Sequence, residues 1–248
     1  MSGVALVTGA AGGIGSALVR RLVADAWEVV GVDVDEEGLR DLGCVAEPAD
    51  VSRADEWERL AARLQGLELA CLNAGVLTGT ASVADLDESA YRRALGVNVD
   101  GVVFGVRALL PLLERSRGTI VVTASLAGLV PMESDPVYAL TKHAVVGFVR
   151  SIAPQLEQRG VRIVLVNPGI ADTPMVRGPM REALEAARFP LLRPDDVVAA
   201  IVHAIRVGRP GEAFAVQPGR EPVSFRFPNV PGPRVAGAER AVPPPLPG

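Results

Sequence analysis

Short β-branched apolar runs alternate along this chain with longer stretches of helical period, and that alternation leaves few folds open to it. The pattern predicts strands over 4–8, 28–32, 45–47, 69–73, 119–124, 161–167 and 213–216. Helices are predicted near 13–25, 36–42, 54–64, 88–114, 137–158 and 195–207. The strands read as continuous apolar runs rather than in/out alternations, as a sheet covered by helices on both faces requires. A β–α–β order of this kind predicts an α/β, doubly wound, seven-stranded parallel sheet with right-handed crossovers. The 248 residues suit a single domain of this type, placed at 1–217.

The end differs in composition. Nine of the 32 residues from Gln217 to Gly248 are proline, so 218–248 reads as a Pro-rich extension. Its last ten residues are expected to be disordered or extended polyproline. Phe225 and Phe227 instead suggest a strap over 223–230, packed on the body or on a neighbouring subunit.

A net charge of −4 argues against a nucleic-acid partner. Two cysteines, Cys44 and Cys71, and two histidines, His143 and His203, assemble no zinc or iron set, so no metal is expected. The first residues lack a basic signal-peptide region, and no apolar run reaches the roughly 18 residues of a membrane span. The expectation is therefore a cytoplasmic protein without a membrane partner, its thiols reduced.

The first predicted strand runs into Gly9-Ala-Ala-Gly-Gly13-Ile14-Gly15 and then a helical stretch. Gly9 permits a sharp exit from the strand, Gly13 lets backbone approach a pyrophosphate, and Gly15 allows close helix–strand packing. Phosphates would meet unpaired N–H groups at the helix N-terminus. Asp33 ends the second strand, 24 residues after Gly9, near the spacing of a carboxylate that accepts bonds from an adenosine ribose. Asp35, Glu36 and Glu37 follow, and the glycine turn carries no Arg or Lys. A 2′-phosphate would meet like charge there, so the expected cofactor is NAD.

Of 25 basic residues only Lys142 is a lysine, and it stands four positions after Tyr138, one of two tyrosines. On a helix the two share a face. A phenol with a pKa near 10 is a poor base at neutral pH. A nearby ammonium is expected to favour the phenolate, and a compact point charge on a flexible stem is what Lys offers and Arg does not.

With Thr8-Gly9, Gly13-Ile14-Gly15, Asp50-Val51, Asn73-Ala74-Gly75, Asn98, Ser125, Tyr138-x-x-x-Lys142 and Asn167-Pro168-Gly169 in order, the chain resembles the short-chain dehydrogenase/reductase family over residues 3–217. The resemblance implies a Rossmann-type fold binding NAD(H). Asp50 and Val51 would contact adenine, and Asn73, Ala74 and Gly75 would line the ribose and stiffen the fourth strand. Pro168, Gly169, Ala171 and Thr173 would lie behind the nicotinamide. Leu72 stands where the family often has another asparagine, a structural position.

The same resemblance implies a catalytic set of Asn98, Ser125, Tyr138 and Lys142. Asn98 would hold a water linking Lys142 to solvent. Ser125 would donate a hydrogen bond to the substrate oxygen, and Tyr138 would act as general acid or base for a secondary alcohol or ketone. Residues near 172–194 take the place of a substrate loop. Met175, Met180, Leu184 and Phe189 could lid a mostly apolar substrate, over Leu126, Leu129, Met132 and Val137. Arg177 or Arg181 is a lesser candidate for a substrate carboxylate. The stretches 88–114 and 137–158 imply four-helix contacts in a homodimer or homotetramer. Pro154 is expected to kink the second, and His143 has no assigned role. Two readings compete: an NADP-dependent ketone reductase, and a catalytically silent dinucleotide-binding sensor or scaffold. The intact set of four argues against the silent one.

Overall fold

The computed structural model describes residues 3–229. Its elements follow the predicted alternation. They are β1 Val4–Thr8, α1 Gly13–Ala24, β2 Glu28–Asp33, α2 Glu36–Leu39, β3 Val45–Pro48, α3 Ala54–Arg63, β4 Leu69–Leu72, α4 Glu88–Leu95 and α5 Gly101–Ser116. Then come β5 Thr119–Thr123, α6 Pro136–Gln158, β6 Arg162–Pro168, α7 Pro179–Ala186, α8 Pro194–Val207, β7 Ala213–Val216 and β8 Val223–Ser224. The sheet order is β3-β2-β1-β4-β5-β6-β7-β8. Strands β1 to β7 are parallel and β8 is antiparallel to β7. The fold is thus a single doubly wound α/β sheet with helices on both faces.

Alternate strand residues feed two cores. Leu6, Val30, Val32, Ile120, Val122, Ile163 and Leu165 face α3, α5 and α6, where Trp57, Val106, Leu109, Val149 and Leu156 pack. Ala5, Val7, Val29, Val121, Val164 and Val166 face α1 and α8, where Leu18, Leu22, Val197 and Ile201 pack. The strand order reverses between β1 and β4, which opens a crevice at their C-terminal ends, where ligands of such sheets bind.

Four differences from the sequence reading have physical causes. The sheet has eight strands, not seven: Val223 and Ser224 pair with Ala215 and Phe214, and Phe225 N–H donates to the Ala213 carbonyl. The helix expected over 88–114 is two helices joined by a π turn, Gly96–Asp100. Gly96 and Gly101 flank that turn and press on Ser52 and Val51, where Cβ atoms would come within 3.0 and 3.1 Å of their neighbours. Helix α2 is one short turn rather than 36–42, and the substrate loop contains α7.

The 29-residue stretch Glu88–Ser116 is long and apolar enough to cross a membrane by length and composition. Val102, Val106, Leu109 and Leu113 of this stretch are buried in the sheet's own core. Helix α6 runs through Pro154 to Gln158. Phe225 and Phe227 stack edge to face at 4.9 Å and pack against the core, with the Arg150 guanidinium 3.6 Å over the Phe227 ring. The expected strap thus packs on this chain's own body over its described part. Val230 and the last ten residues lie outside the described residues.

Candidate active site

Gly9 leaves β1 with φ +65°, in the left-handed region open to glycine. Gly12 N–H donates back to Gly9 O at 3.1 Å, and Ser16 N–H to Gly12 O at 2.8 Å, starting α1. A Cβ on Gly15 would lie 1.9 Å from Gly9 O, and one on Gly13 would lie 2.7 Å from Thr173 Cγ2. The first close approach fixes the turn, and the second brings Thr173 onto it. Thr8 Oγ1 accepts from the N–H groups of Asn73 (2.9 Å) and Ala74 (3.1 Å), and Asn73 Nδ2 donates to Thr8 O. These bonds bind β1 to the end of β4.

Asp33 closes the outer side of the turn. Its Oδ2 accepts from Ala11 N–H at 3.0 Å and its Oδ1 from Asp35 N–H at 3.1 Å. Asp50 Oδ1 accepts from Ser52 N–H and Oγ–H, and the buried Val51 offers its carbonyl to Trp57 Nε1 at 2.9 Å. Ile14 packs against the α1–α8 core. The turn, the carboxylate and the Asp50-Val51 loop thus line one crevice edge. A glycine cradle that admits no side chain, at a helix N-terminus, fits the pyrophosphate of a dinucleotide.

Helix α6 carries the second half of the site. Asp135 is its N-cap and Pro136 stands in its first turn, an arrangement that fixes where the helix begins. Tyr138 and Lys142 then face the same side, with Lys142 Nζ 5.5 Å from the Tyr138 ring centroid. Lys142 is 4% exposed and donates to Thr123 O at 3.2 Å. Ser125 follows β5 and caps the short 3₁₀ turn Leu126–Gly128. Its Oγ accepts from Ala127 N–H at 3.1 Å.

Asn98 is fully buried at the π turn. Its Oδ1 accepts from Val76 N–H at 2.8 Å, and its Nδ2 donates to Val76 O and to Thr141 Oγ1. Both amide hydrogens are committed, so the side chain braces two elements, and its Oδ1 keeps one lone pair beyond the bond from Val76. A Cβ on Gly75 would lie 3.3 Å from Lys142 Nζ and 3.4 Å from Asn98 Oδ1, so this glycine keeps the site open. Ala171 is buried and pairs with Leu192, Gly169 N–H donates to Val216 O, and Pro168 O accepts from Ser125 Oγ at 3.4 Å. The predicted residues therefore gather along one crevice at the strand ends.

The electrostatics correct one expectation. Burial pushes the Tyr138 phenol up to about 12, Ser125 opposes this weakly, and the Asp135 carboxylate adds to it. Burial, rather than the neighbouring ammonium, therefore sets the direction for Tyr138 in this structure. Burial in turn lowers Lys142 to about 8, because its ammonium has one carbonyl for a partner and little water. The deeply buried Cys71 thiol is pushed up to about 12, as an inert reduced thiol would be.

The lid residues are less assembled. Met175 and Phe189 are exposed, α7 buries none of its residues, and Val176 and Leu192 are the segment's buried anchors. Arg181 pairs with Asp172 and Glu185, so it is engaged within the loop. Met132 does pack beside Tyr138, joined by Leu77, which the sequence reading did not single out.

The model of the family described as short chain dehydrogenase matches residues 3–183. The chain belongs to the short-chain dehydrogenase/reductase family. This dehydrogenase/reductase is 32% identical over 211 residues to a 3-alpha-(or 20-beta)-hydroxysteroid dehydrogenase of Mycobacterium tuberculosis, covering 81% of each chain. A 3-ketoacyl-(acyl-carrier-protein) reductase from Brucella melitensis complexed with NADH superposes with a TM-score of 0.78 at 26% identity, covering 88% of this chain and 97% of that one. A short chain dehydrogenase from Burkholderia cenocepacia in complex with NADP gives 0.78 at 26% identity, covering 86% and 87%. Members of the family bind nicotinamide dinucleotides and act on alcohols and ketones.

Proposed function

We propose that this short-chain dehydrogenase/reductase is NAD-dependent and interconverts a mostly apolar secondary alcohol with its ketone. The observation that carries the chemistry is the buried Tyr138–Lys142 pair on one helix face beside Ser125. Asp33 carries the preference for NAD, since its carboxylate stands at the glycine turn where a 2′-phosphate would meet negative charge.

Gly9, Gly13, Ile14 and Gly15 hold the pyrophosphate, Asp33 the adenosine ribose, and Asp50 and Val51 the adenine. Asn73, Ala74 and Gly75 line the next stretch. Pro168, Gly169, Ala171 and Thr173 back the nicotinamide, and Tyr138 and Lys142 face its ribose. The bound dinucleotide supplies a hydride acceptor or donor. Ser125 donates to the substrate oxygen and stabilises its developing charge. Tyr138 takes the hydroxyl proton in oxidation and returns it in reduction. Lys142 holds positive charge beside it, and Asn98 braces the wall opposite. Leu77 and Met132 supply apolar contact for the substrate.

Thermal-shift titration with NADH and NADPH, followed by NADH formation over a panel including cyclohexanol and a 3α-hydroxysteroid, tests this. NADH should give the larger shift, and at least one alicyclic alcohol should turn over. A larger NADPH shift overturns the cofactor assignment; dinucleotide binding without turnover of any alcohol or ketone overturns the activity.

We also infer a homodimer or homotetramer. Leu140 of α6 is exposed, and Val103, Phe104 and Leu110 of α5 are half-buried, so both helices keep apolar surface outward. Sedimentation at micromolar concentration should show the oligomer; a monomer contradicts it. A reduced Cys71 and an acidic, core-packed chain suit the cytoplasm.

A further inference from the structure

Asp135 is a carboxylate only 2% exposed, and it does more than start a helix. Its Oδ1 accepts from Tyr138 N–H at 2.9 Å and from Thr78 Oγ1 at 2.6 Å. Its Oδ2 accepts from the N–H groups of Thr78 (2.8 Å) and Gly79 (2.9 Å). Four donors and no acceptor suit an ionised carboxylate. Three of those donors belong to a segment 56 and 57 residues away in sequence, which Asn98 grips from its other end through Val76. Between the two grips Leu77 packs on Tyr138.

We propose that Asp135 is a positioning residue that clamps the Val76–Gly79 segment onto the first turn of the catalytic helix, fixing the apolar wall at Leu77 and holding a negative charge beside Tyr138. This rests on the reading of Tyr138 as the acid/base group. Within Val76–Gly79 the apolar side chains are Val76 and Leu77, and Thr78 and Gly79 bring none with which to dock. The buried carboxylate supplies the docking that packing does not, and links it to the residue that moves the proton.

The charge has a readable consequence. The charged groups acting on Tyr138 are Lys142 above and Asp135 below. The segments 73–79, 125–132 and 168–171 packed around it contain no titratable side chain. The nearest others along the chain are Glu133, which is exposed, and His143, whose Nδ1 lies 2.9 Å from the Ala139 carbonyl; Asp172, next to the 168–171 segment, pairs with Arg181. Removing the Asp135 charge should let Tyr138 ionise more easily, so the rising limb of alcohol oxidation should move to lower pH.

The test compares the parent with Asp135→Asn, Asp135→Ser and Tyr138→Phe, using NAD with cyclohexanol, together with hydrogen exchange of the 73–82 peptide. Serine keeps the helix cap but removes clamp and charge, whereas asparagine keeps one acceptor. The expected results are a tenfold or greater rise in KM for D135S with NADH affinity unchanged, about half a pH unit or more of downward shift in the limb for D135N, and faster exchange at Thr78 and Gly79 in both variants. A parental pH profile with only a lowered Tm marks Asp135 as merely a helix cap and overturns the proposal, as does unchanged exchange of the 73–82 peptide. If Tyr138→Phe retains parental turnover, it is the acid/base reading that fails, and the exchange result still decides the clamp.

Discussion

Replacing Tyr138 by phenylalanine is expected to lower kcat/KM for alcohol oxidation about a thousandfold, the usual contribution of a positioned general acid–base group. The ring volume stays, so the packing with Ala127, Ala139, Leu77 and Met132 stays too. Because Tyr138 is buried and its phenol is pushed up to about 12, removal of the hydroxyl relieves a desolvated polar group. Stability should therefore hold or rise slightly, and NADH affinity should remain close to the parent's. Steady-state kinetics beside a fluorescence titration of NADH separates these effects: loss confined to turnover identifies a proton-transfer role, whereas parallel loss of cofactor binding would identify a structural one.

The second large effect is expected at Gly15. Alanine there would place its Cβ 1.9 Å from Gly9 O, 2.7 Å from Gly9 C and 2.9 Å from Ala10 Cα, all main-chain atoms that no rotamer can move aside. The turn must open or the first helix must shift, at a cost of about 4 kcal/mol or more, in the class of severe core and backbone lesions. For a chain of this size that corresponds to a Tm fall of roughly 10 °C. NADH affinity should fall by about a hundredfold or more, since on the proposed binding mode the displaced N–H groups would face the phosphates. Two neighbours calibrate the result. Gly13→Ala meets the Thr173 side chain at 2.7 Å, which can yield, and Gly12→Ala meets Gly9 O at 3.2 Å, a mild crowding. Calorimetry and binding should rank the three as Gly15, then Gly13, then Gly12; equal effects would deny the turn its close-packed role.

Much of this architecture was legible because the strands are pure apolar runs. A buried parallel strand has no wet face, so its sequence shows no alternation, and β1, β2, β4, β5, β6 and β7 fall within a residue or two of their expected limits. Tyr138 and Lys142 were legible for a different reason: helical spacing alone places them on one face.

What escaped the sequence depends on contacts distant along the chain. The π turn at Gly96–Asp100 exists because two glycines let it press on Val51 and Ser52, and no periodicity announces that. Strand β8 is two residues long, and its pairing is set by the free edge of β7 rather than by β propensity. Asp135 before Pro136 is a readable helix start, yet its bonds to Thr78 and Gly79 required the fold. The direction of the Tyr138 shift was also misread, because spacing reveals a neighbouring ammonium but not the loss of water around the phenol. Asn98 was picked out by its motif, while its engagement with Val76 and Thr141 appeared only in three dimensions.

The central claim is that Tyr138, too reluctant to ionise alone, becomes the working base beside Lys142 once dinucleotide binds. Tyr91 is the other tyrosine, so Tyr91→Phe leaves a single phenol whose ultraviolet tyrosinate absorption can be titrated. Without NAD the midpoint should lie high, near the value of about 12 that burial imposes. Saturating NAD should bring it down by about two pH units or more, the scale of a nearby opposite charge. A midpoint that stays where it was with NAD bound would contradict the account.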